Sequence, residues 1–385
     1  MGTGRHPLRR LLGISLLAML LSGVGGVMFL RTADPAPRGE FAVGTMPLEP
    51  GRCTEFVRRI GQDGARPVPD VQLWYPASPR HGGALAGGDL PVVLYFSGWA
   101  GIRLENLGAV QALASHGFVV ATIVYPARLP GMPNARWQAQ LAELERPMDF
   151  SSEAAFEETL RRSNDRVRAR AEDAVAILDL LAKLDHCDPG NRLAHRLDTN
   201  RAGVFGYSLG GAVAAETCWM DGRFRAAVNL DAWLFADAAK HGVTCPYLLI
   251  SDDSPVPTAA DIAAATSSDR YRSILTKTDY DQTIANMRRH GGVMVTIGGS
   301  GHADFLDAGS RSLWQSIGVT GKTAQRTSDI VTAYVLAFMQ SHLAGRKSPL
   351  LPPNAVTPSG VRLEVWERPD VVGYRGRIRQ GFPEL

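Results

Sequence analysis

A chain of 385 residues, 45% of them hydrophobic, has room for one large α/β domain or two small ones and for a sizeable buried core. The formal net charge of +3 is close to balance. The basic residues are mostly Arg, with no clustered run outside the N-terminus and Arg161-Arg162, so nothing argues for a nucleic-acid partner.

Leu11 to Leu30 form an apolar stretch, about 20 residues being enough to cross a bilayer as a helix. Arg5, Arg9 and Arg10 precede it and should stay cytoplasmic. The expectation is an N-terminal transmembrane helix, residues 1–30 being a signal-anchor that tethers the chain to a membrane. A cleaved signal peptide is the alternative, although the run continues past Ser22-Gly23 to Leu30 and is long for that purpose. Arg9-Arg10 could also seed a twin-arginine signal, with poorly fitting flanks. Each reading places the remainder outside the cytoplasm, periplasmic or extracellular, and secreted if the segment is cleaved. There Cys53, Cys187, Cys218 and Cys245 could form two disulfides in three possible pairings, or remain buried thiols. Their spacing contains no C-x-x-C, which argues against zinc.

Residues 31–50, rich in Pro, Gly and Ala, read as a linker. The catalytic domain is expected over 51–345. Val71 to Tyr75 alternates and ends at Pro76, an early antiparallel strand. Pro91 to Phe96 and Phe118 to Tyr125 are continuous apolar runs, as in strands covered on both faces. Between them Glu105 to His116 reads as a helix stopped by Gly117. Residues 127–160, broken by Pro130, Pro133 and Pro147, interrupt the rhythm and read as a cap or insertion beside the active site. A helix from Asn164 to Lys183 follows, with Val167, Ala171, Ala174, Val175 and Leu178 on one face. Further strands are expected at Ala202–Tyr207, Phe224–Leu230, Pro246–Ser251 and Gly292–Ile297, and a last helix at Gln325–Leu343 before Gly345. The alternation points to a doubly wound, mostly parallel α/β sheet with helices on both faces. Residues 346–385 read as a C-terminal extension carrying one short alternating piece, Val361 to Trp366.

Gly206-Tyr207-Ser208-Leu209-Gly210 follows a strand and opens into a helix, the setting of a nucleophile elbow. A serine nucleophile needs a general base, itself oriented by a carboxylate, in the chain order Ser, acid, His. Of the nine histidines, His241, His290, His302 and His342 follow Ser208. His302 comes directly after Gly298-Gly299-Ser300-Gly301 at a strand's carboxyl end, where catalytic groups gather on open sheets. For the acid, Asp231 ends one strand while Asp252 and Asp253 end the next, and spacing leaves the choice open. Two backbone N–H groups should receive the oxyanion: Leu209, after the serine, and Trp99 in the loop Ser97-Gly98-Trp99-Ala100-Gly101. The chemistry needs no metal or organic cofactor.

Several blocks in order resemble the platelet-activating factor acetylhydrolase family, of the lipoprotein-associated phospholipase A2 type, within the α/β-hydrolase superfamily. They are Ala114–Ala121, Arg166–Ala171, Gly206–Gly211, Arg223-Phe224-Arg225 leading to Leu230-Asp231-Ala232-Trp233, and Gly299-Ser300 with His302 and Asp304-Phe305. The resemblance covers about residues 41–345. It implies an α/β-hydrolase fold, Asp231 as triad acid, Trp233 and Phe305 as substrate-binding residues, and short or oxidised sn-2 acyl groups of phospholipids as substrates. Ser97-Gly98 and Tyr207 depart from the family's His-Gly and His, which bears on the acyl pocket. A polyester or cutinase-like hydrolase using Asp252 or Asp253 is the enzymatic alternative. A non-catalytic envelope binding protein on the same fold is the alternative of another class.

Overall fold

A computed structural model describes residues 39–48, 67–78, 83–101, 104–127, 132–188, 190–307 and 323–368. The expected helix over 11–30 and Cys53 lie outside the described residues. Among those described, no helix is long and apolar enough to cross a membrane.

Among the described residues nine strands form one sheet: β1 (Ala42–Leu48), β2 (Asp70–Ala77), β3 (Leu90–Phe96), β4 (Val119–Val124), β5 (Leu197–Tyr207), β6 (Phe224–Leu230), β7 (Tyr247–Ser251), β8 (Gly292–Ile297) and β9 (Val361–Trp366). Their spatial order is β1-β2-β4-β3-β5-β6-β7-β8-β9. Every neighbour pair from β4 to β8 is parallel, whereas β1, β2 and β9 join antiparallel. The register Phe96↔Gly206, Gly206↔Asn229, Leu230↔Ile250 and Ser251↔Thr296 aligns the carboxyl ends of the central strands in one row. Loops leaving that row are therefore neighbours, however far apart they lie in sequence.

The apolar runs are two-faced strands. Along β3 all seven residues are buried, with Val92, Leu94 and Phe96 in one core and Val93 and Tyr95 in the other. The first core takes α3 (Glu153–Cys187) and α4 (Leu209–Met220), through residues such as Val167, Ile177 and Val213. The second takes α1 (Leu107–Ser115) and α8 (Ala324–Ala344), through Val110, Leu113, Tyr334 and Phe338. Each fully buried aliphatic or aromatic side chain contributes at most about 1.5–3 kcal/mol, so the two cores together dominate stability.

The structure differs from expectation in four places. Residues 127–160 contain α2 (Asn134–Glu145) and the first turns of α3, which begins at Glu153 rather than Asn164 because Ser152 Oγ caps it from Ala155 N–H at 3.2 Å. Between β6 and β8 lie α5 (Ala236–His241), α6 (Ala259–Ala264) and the long α7 (Ser267–His290), none of them expected. The linker supplies β1, paired with β2. The C-terminal piece 361–366 is β9, completing the sheet against β8 rather than standing apart from it.

Candidate active site

Ser208 lies between the last residue of β5 and the first of α4, with φ 51° and ψ −130°. A non-glycine residue holds such a conformation at a cost of about 1–3 kcal/mol, which the surroundings must offset. Ser208 N–H donates to Leu230 O at 2.8 Å and Gly211 N–H donates to Ser208 O at 2.8 Å. The glycines allow the close approach. A Cβ on Gly206 would lie 2.2 Å from Gly210 O, and one on Gly210 2.1 Å from Phe96 O. The turn therefore lifts the serine side chain above the carboxyl edge of the sheet.

His302 opens a 3-10 turn, His302–Phe305, after β8. Its Nε2 is 3.1 Å from Ser208 Oγ and its Nδ1 is 2.6 Å from Asp231 Oδ2. An ionised carboxylate only accepts, so the ring proton belongs on Nδ1 and the Nε2 lone pair faces the serine hydroxyl. The Tyr207 ring stacks on the imidazole at 4.9 Å between centroids, and its hydroxyl donates to His302 O at 3.0 Å. Burial lowers the His302 pKa, but the hydrogen bond and charge of Asp231 outweigh it, with Asp252 and Glu105 adding to the rise. The net direction is upward.

Asp231 has φ 58° and donates its N–H to Ile250 O at 2.8 Å. The turn that carries it is built by fully buried Asn229, whose Oδ1 accepts from Ala232 N–H and whose Nδ2 donates to Ala232 O and Tyr247 Oη. Asp252 gives Asp231 Oδ1 its backbone N–H at 2.8 Å, while its own carboxylate accepts from Ser254 N–H and Oγ–H. Burial, then the charge of Asp231, raises the Asp252 pKa. Asp253 Oδ2 accepts from Gly299 N–H at 3.1 Å, on the loop leading to His302. The structure thus brings Ser208, His302 and Asp231 into one hydrogen-bonded chain, with Asp252 and Asp253 holding the backbone around it.

The loop Ser97–Gly101 passes beside the serine: a Cβ on Gly98 would be 3.5 Å from Ser208 Cβ. Gly98 N–H donates to buried Glu105 Oε2 at 2.6 Å. Leu209 N–H, at the first position of α4, has no intrahelical carbonyl to reach. Trp99 spans outward, its indole Nε1 donating to Arg146 O of the insertion at 2.8 Å. Trp233 packs edge-on to Phe150, at 6.3 Å and 81°, and Phe156 stacks on Tyr271 at 5.3 Å. An aromatic wall thus joins the insertion, the loop after Asp231 and α7.

Phe305 departs from expectation. Its side chain is fully buried in the core beneath α8, and its carbonyl accepts from Asn106 Nδ2 at 2.7 Å. Buried there, it supports the histidine loop from the core side instead of facing a substrate. Sequence reasoning gave no role to Glu105, to the stacking of Tyr207 on His302 or to the arginines Arg162, Arg166 and Arg170 of α3, whose i, i+4, i+8 spacing was the available signal. Cys187, Cys218 and Cys245 are free thiols. Among the described residues no group of three or more His, Cys, Asp or Glu side chains is placed to hold a metal.

Residues 78–348 match the family described as platelet-activating factor acetylhydrolase, isoform II. Platelet-activating factor acetylhydrolases of Bos taurus and Canis lupus familiaris are 24% identical over 298 residues and 25% over 287. Each alignment covers 68% of this chain and 59% of the relative, so the chain spans about three fifths of those relatives' length. The solved ferulic acid esterase from Streptomyces cinnamoneus superposes with a TM-score of 0.56 at 22% identity, covering 86% of this chain and 98% of that one. At that identity the likeness is one of fold, the α/β-hydrolase arrangement. With well over half its length matched, this chain belongs to the platelet-activating factor acetylhydrolase, isoform II family.

Proposed function

We propose that the chain is an exported serine ester hydrolase acting on short or oxidised sn-2 acyl groups of phospholipids. The hydrogen-bonded chain from Ser208 through His302 to Asp231 carries this reading. His302 Nε2 takes the hydroxyl proton as Ser208 Oγ attacks the ester carbonyl, and Asp231 stabilises the imidazolium that forms. The oxyanion is received by the N–H groups of Leu209 and Trp99, each contributing about 3 kcal/mol in sites of this type. The alcohol leaves with the proton from His302, and water, deprotonated by the same ring, releases the acid from the acyl-serine.

The aromatic wall of Trp233, Phe150, Phe156 and Tyr271, whose Trp233 follows Asp231 by two residues, supports an apolar acyl group in the substrate. The charged N-terminus before Leu11–Leu30 supports export. A hydrolysis screen of purified protein on short-acyl phospholipids, p-nitrophenyl esters and polyester film tests the substrate class. Turnover is expected on the first two, and a preference for polyester film over both contradicts the phospholipid reading.

A further inference from the structure

Arg170 of α3 is nearly fully buried, and its guanidinium faces three consecutive carbonyls of the loop after β3. Nη1 donates to Gly98 O at 3.3 Å, and Nη2 donates to Trp99 O and Ala100 O, both at 3.2 Å. The Tyr125 ring lies under the cation at 4.7 Å. One turn earlier, Arg166 Nη1 donates to Trp99 O at 3.4 Å and its guanidinium covers the Trp99 indole at 4.2 Å. A further turn back, Arg162 Nη2 and the Trp99 indole share Arg146 O as acceptor. The loop is held by one face of a long, rigid helix.

The direction of these bonds has a chemical consequence. The Gly98–Trp99 peptide is trans, so its C=O and N–H point opposite ways. With Gly98 O turned onto the Arg170 guanidinium, Trp99 N–H must point away from that guanidinium, and Gly98 itself abuts Ser208. A flipped peptide would aim a carbonyl at the developing oxyanion, and would also remove one acceptor from a buried cation. Gly101 lets the guanidinium in: it has φ 73°, and a Cβ there would lie 2.7 Å from Arg170 Nη2.

We propose that Arg170 is a positioning residue that locks the Gly98–Trp99 peptide with its N–H toward Ser208, so that the oxyanion site is formed before substrate arrives. This rests on the ester-hydrolase reading above. Arg170 touches no reacting atom; it acts through the loop backbone. A lysine cannot replace it fully, because one ammonium lacks the planar fork that spans three carbonyls.

The test compares wild type, Ser208→Ala, Arg168→Gln, Arg170→Lys and Arg170→Gln on p-nitrophenyl acetate. Turnover is counted per active site titrated with a fluorophosphonate, and Ki is measured for a trifluoromethyl ketone, whose hemiketal oxyanion occupies the same place as the transition state's. Arg170→Gln is expected to lower per-site kcat about 10- to 100-fold with KM within about threefold, and to weaken the ketone in proportion to kcat/KM. Arg170→Lys should fall between, and it carries the test if Arg170→Gln does not fold. Arg168→Gln, which removes a surface arginine of the same helix paired with Asp237, should match wild type. Ser208-dependent turnover that survives at the wild-type level in both Arg170 variants, or ketone affinity unchanged while kcat falls, would overturn the proposal alone. Wild-type hydrolysis that Ser208→Ala leaves intact would overturn the ester-hydrolase reading with it.

Discussion

Asp252 donates its backbone N–H to Asp231 Oδ1 at 2.8 Å while Asp231 Oδ2 receives His302 Nδ1 at 2.6 Å. Both oxygens of Asp231 are engaged, one by the loop after β7 and one by the imidazole. Asp231 and Asp252, two of the three acids that compete in sequence, are parts of one arrangement, in which Asp231 reaches the ring. Asp231→Asn is therefore expected to lower kcat by about 10³–10⁴, because the amide can no longer hold the Nδ1–H tautomer. Asp252→Asn and Asp253→Asn should each cost less than about tenfold, since the Asp252 N–H remains. Steady-state kinetics of the three variants check this, and near-full activity in Asp231→Asn would remove it from the triad.

The pH dependence follows from the sign of the His302 shift. The base works only when neutral, and its pKa is raised: burial pulls it down, and Asp231, Asp252 and Glu105 together pull it up further. The acidic limb of kcat/KM should therefore lie above the ordinary histidine value of about 6.5, activity being lost as pH falls through it. Replacing Asp252 by Asn removes one of the raising charges and should move that limb to lower pH. A limb at or below the ordinary value, or one that moves upward in Asp252→Asn, contradicts the assignment.

Gly206→Ala and Gly210→Ala should abolish folding or leave a protein with little nucleophile reactivity. Each new Cβ meets backbone, at 2.2 Å from Gly210 O or 2.1 Å from Phe96 O, and backbone cannot rotate aside as a side chain can. Thermal melts with fluorophosphonate labelling separate the two outcomes. A variant that melts like wild type and labels at the wild-type rate would show that the elbow tolerates a Cβ.

Trp233 and Phe305 should behave oppositely. Phe305→Ala opens a cavity in the second core and should cost about 3–5 kcal/mol of stability, with KM of the folded fraction little changed. Trp233→Ala removes part of the aromatic wall and should raise KM for short-acyl esters about 5- to 30-fold, a hydrophobic contact of about 1–2 kcal/mol, with a smaller loss of stability. Urea melts and Michaelis kinetics of both variants check the contrast.

What could be read in the sequence was local. The elbow is legible because its glycines, strand and helix lie within a few residues of Ser208, and His302 because its glycine loop directly follows β8. The choice of Asp231 does not follow from strand order, since β7 with Asp252 lies between β6 and β8; it depends on the turn after β6, held by Asn229 and by the Asp252 N–H, which spacing does not express. Helix α7 carries charged or polar side chains on nearly every turn, so no apolar period announces it; its packing rests on Leu275 and Met287 with the polar Thr283 and Asn286. The burial of Phe305 is set by its packing among α8 residues in the second core, and the contact of Arg170 with Gly98 joins residues 72 positions apart. Such contacts come from how α3 crosses the sheet, not from any local pattern.

The central claim, that Ser208 is a nucleophile activated by His302, is tested most directly by the intact mass of the protein after exposure to a fluorophosphonate. The account predicts a single adduct on wild type that maps to Ser208, forms far more slowly in His302→Ala and is absent from Ser208→Ala. Folded wild-type protein that takes up no adduct, or an adduct that persists in Ser208→Ala, would contradict it.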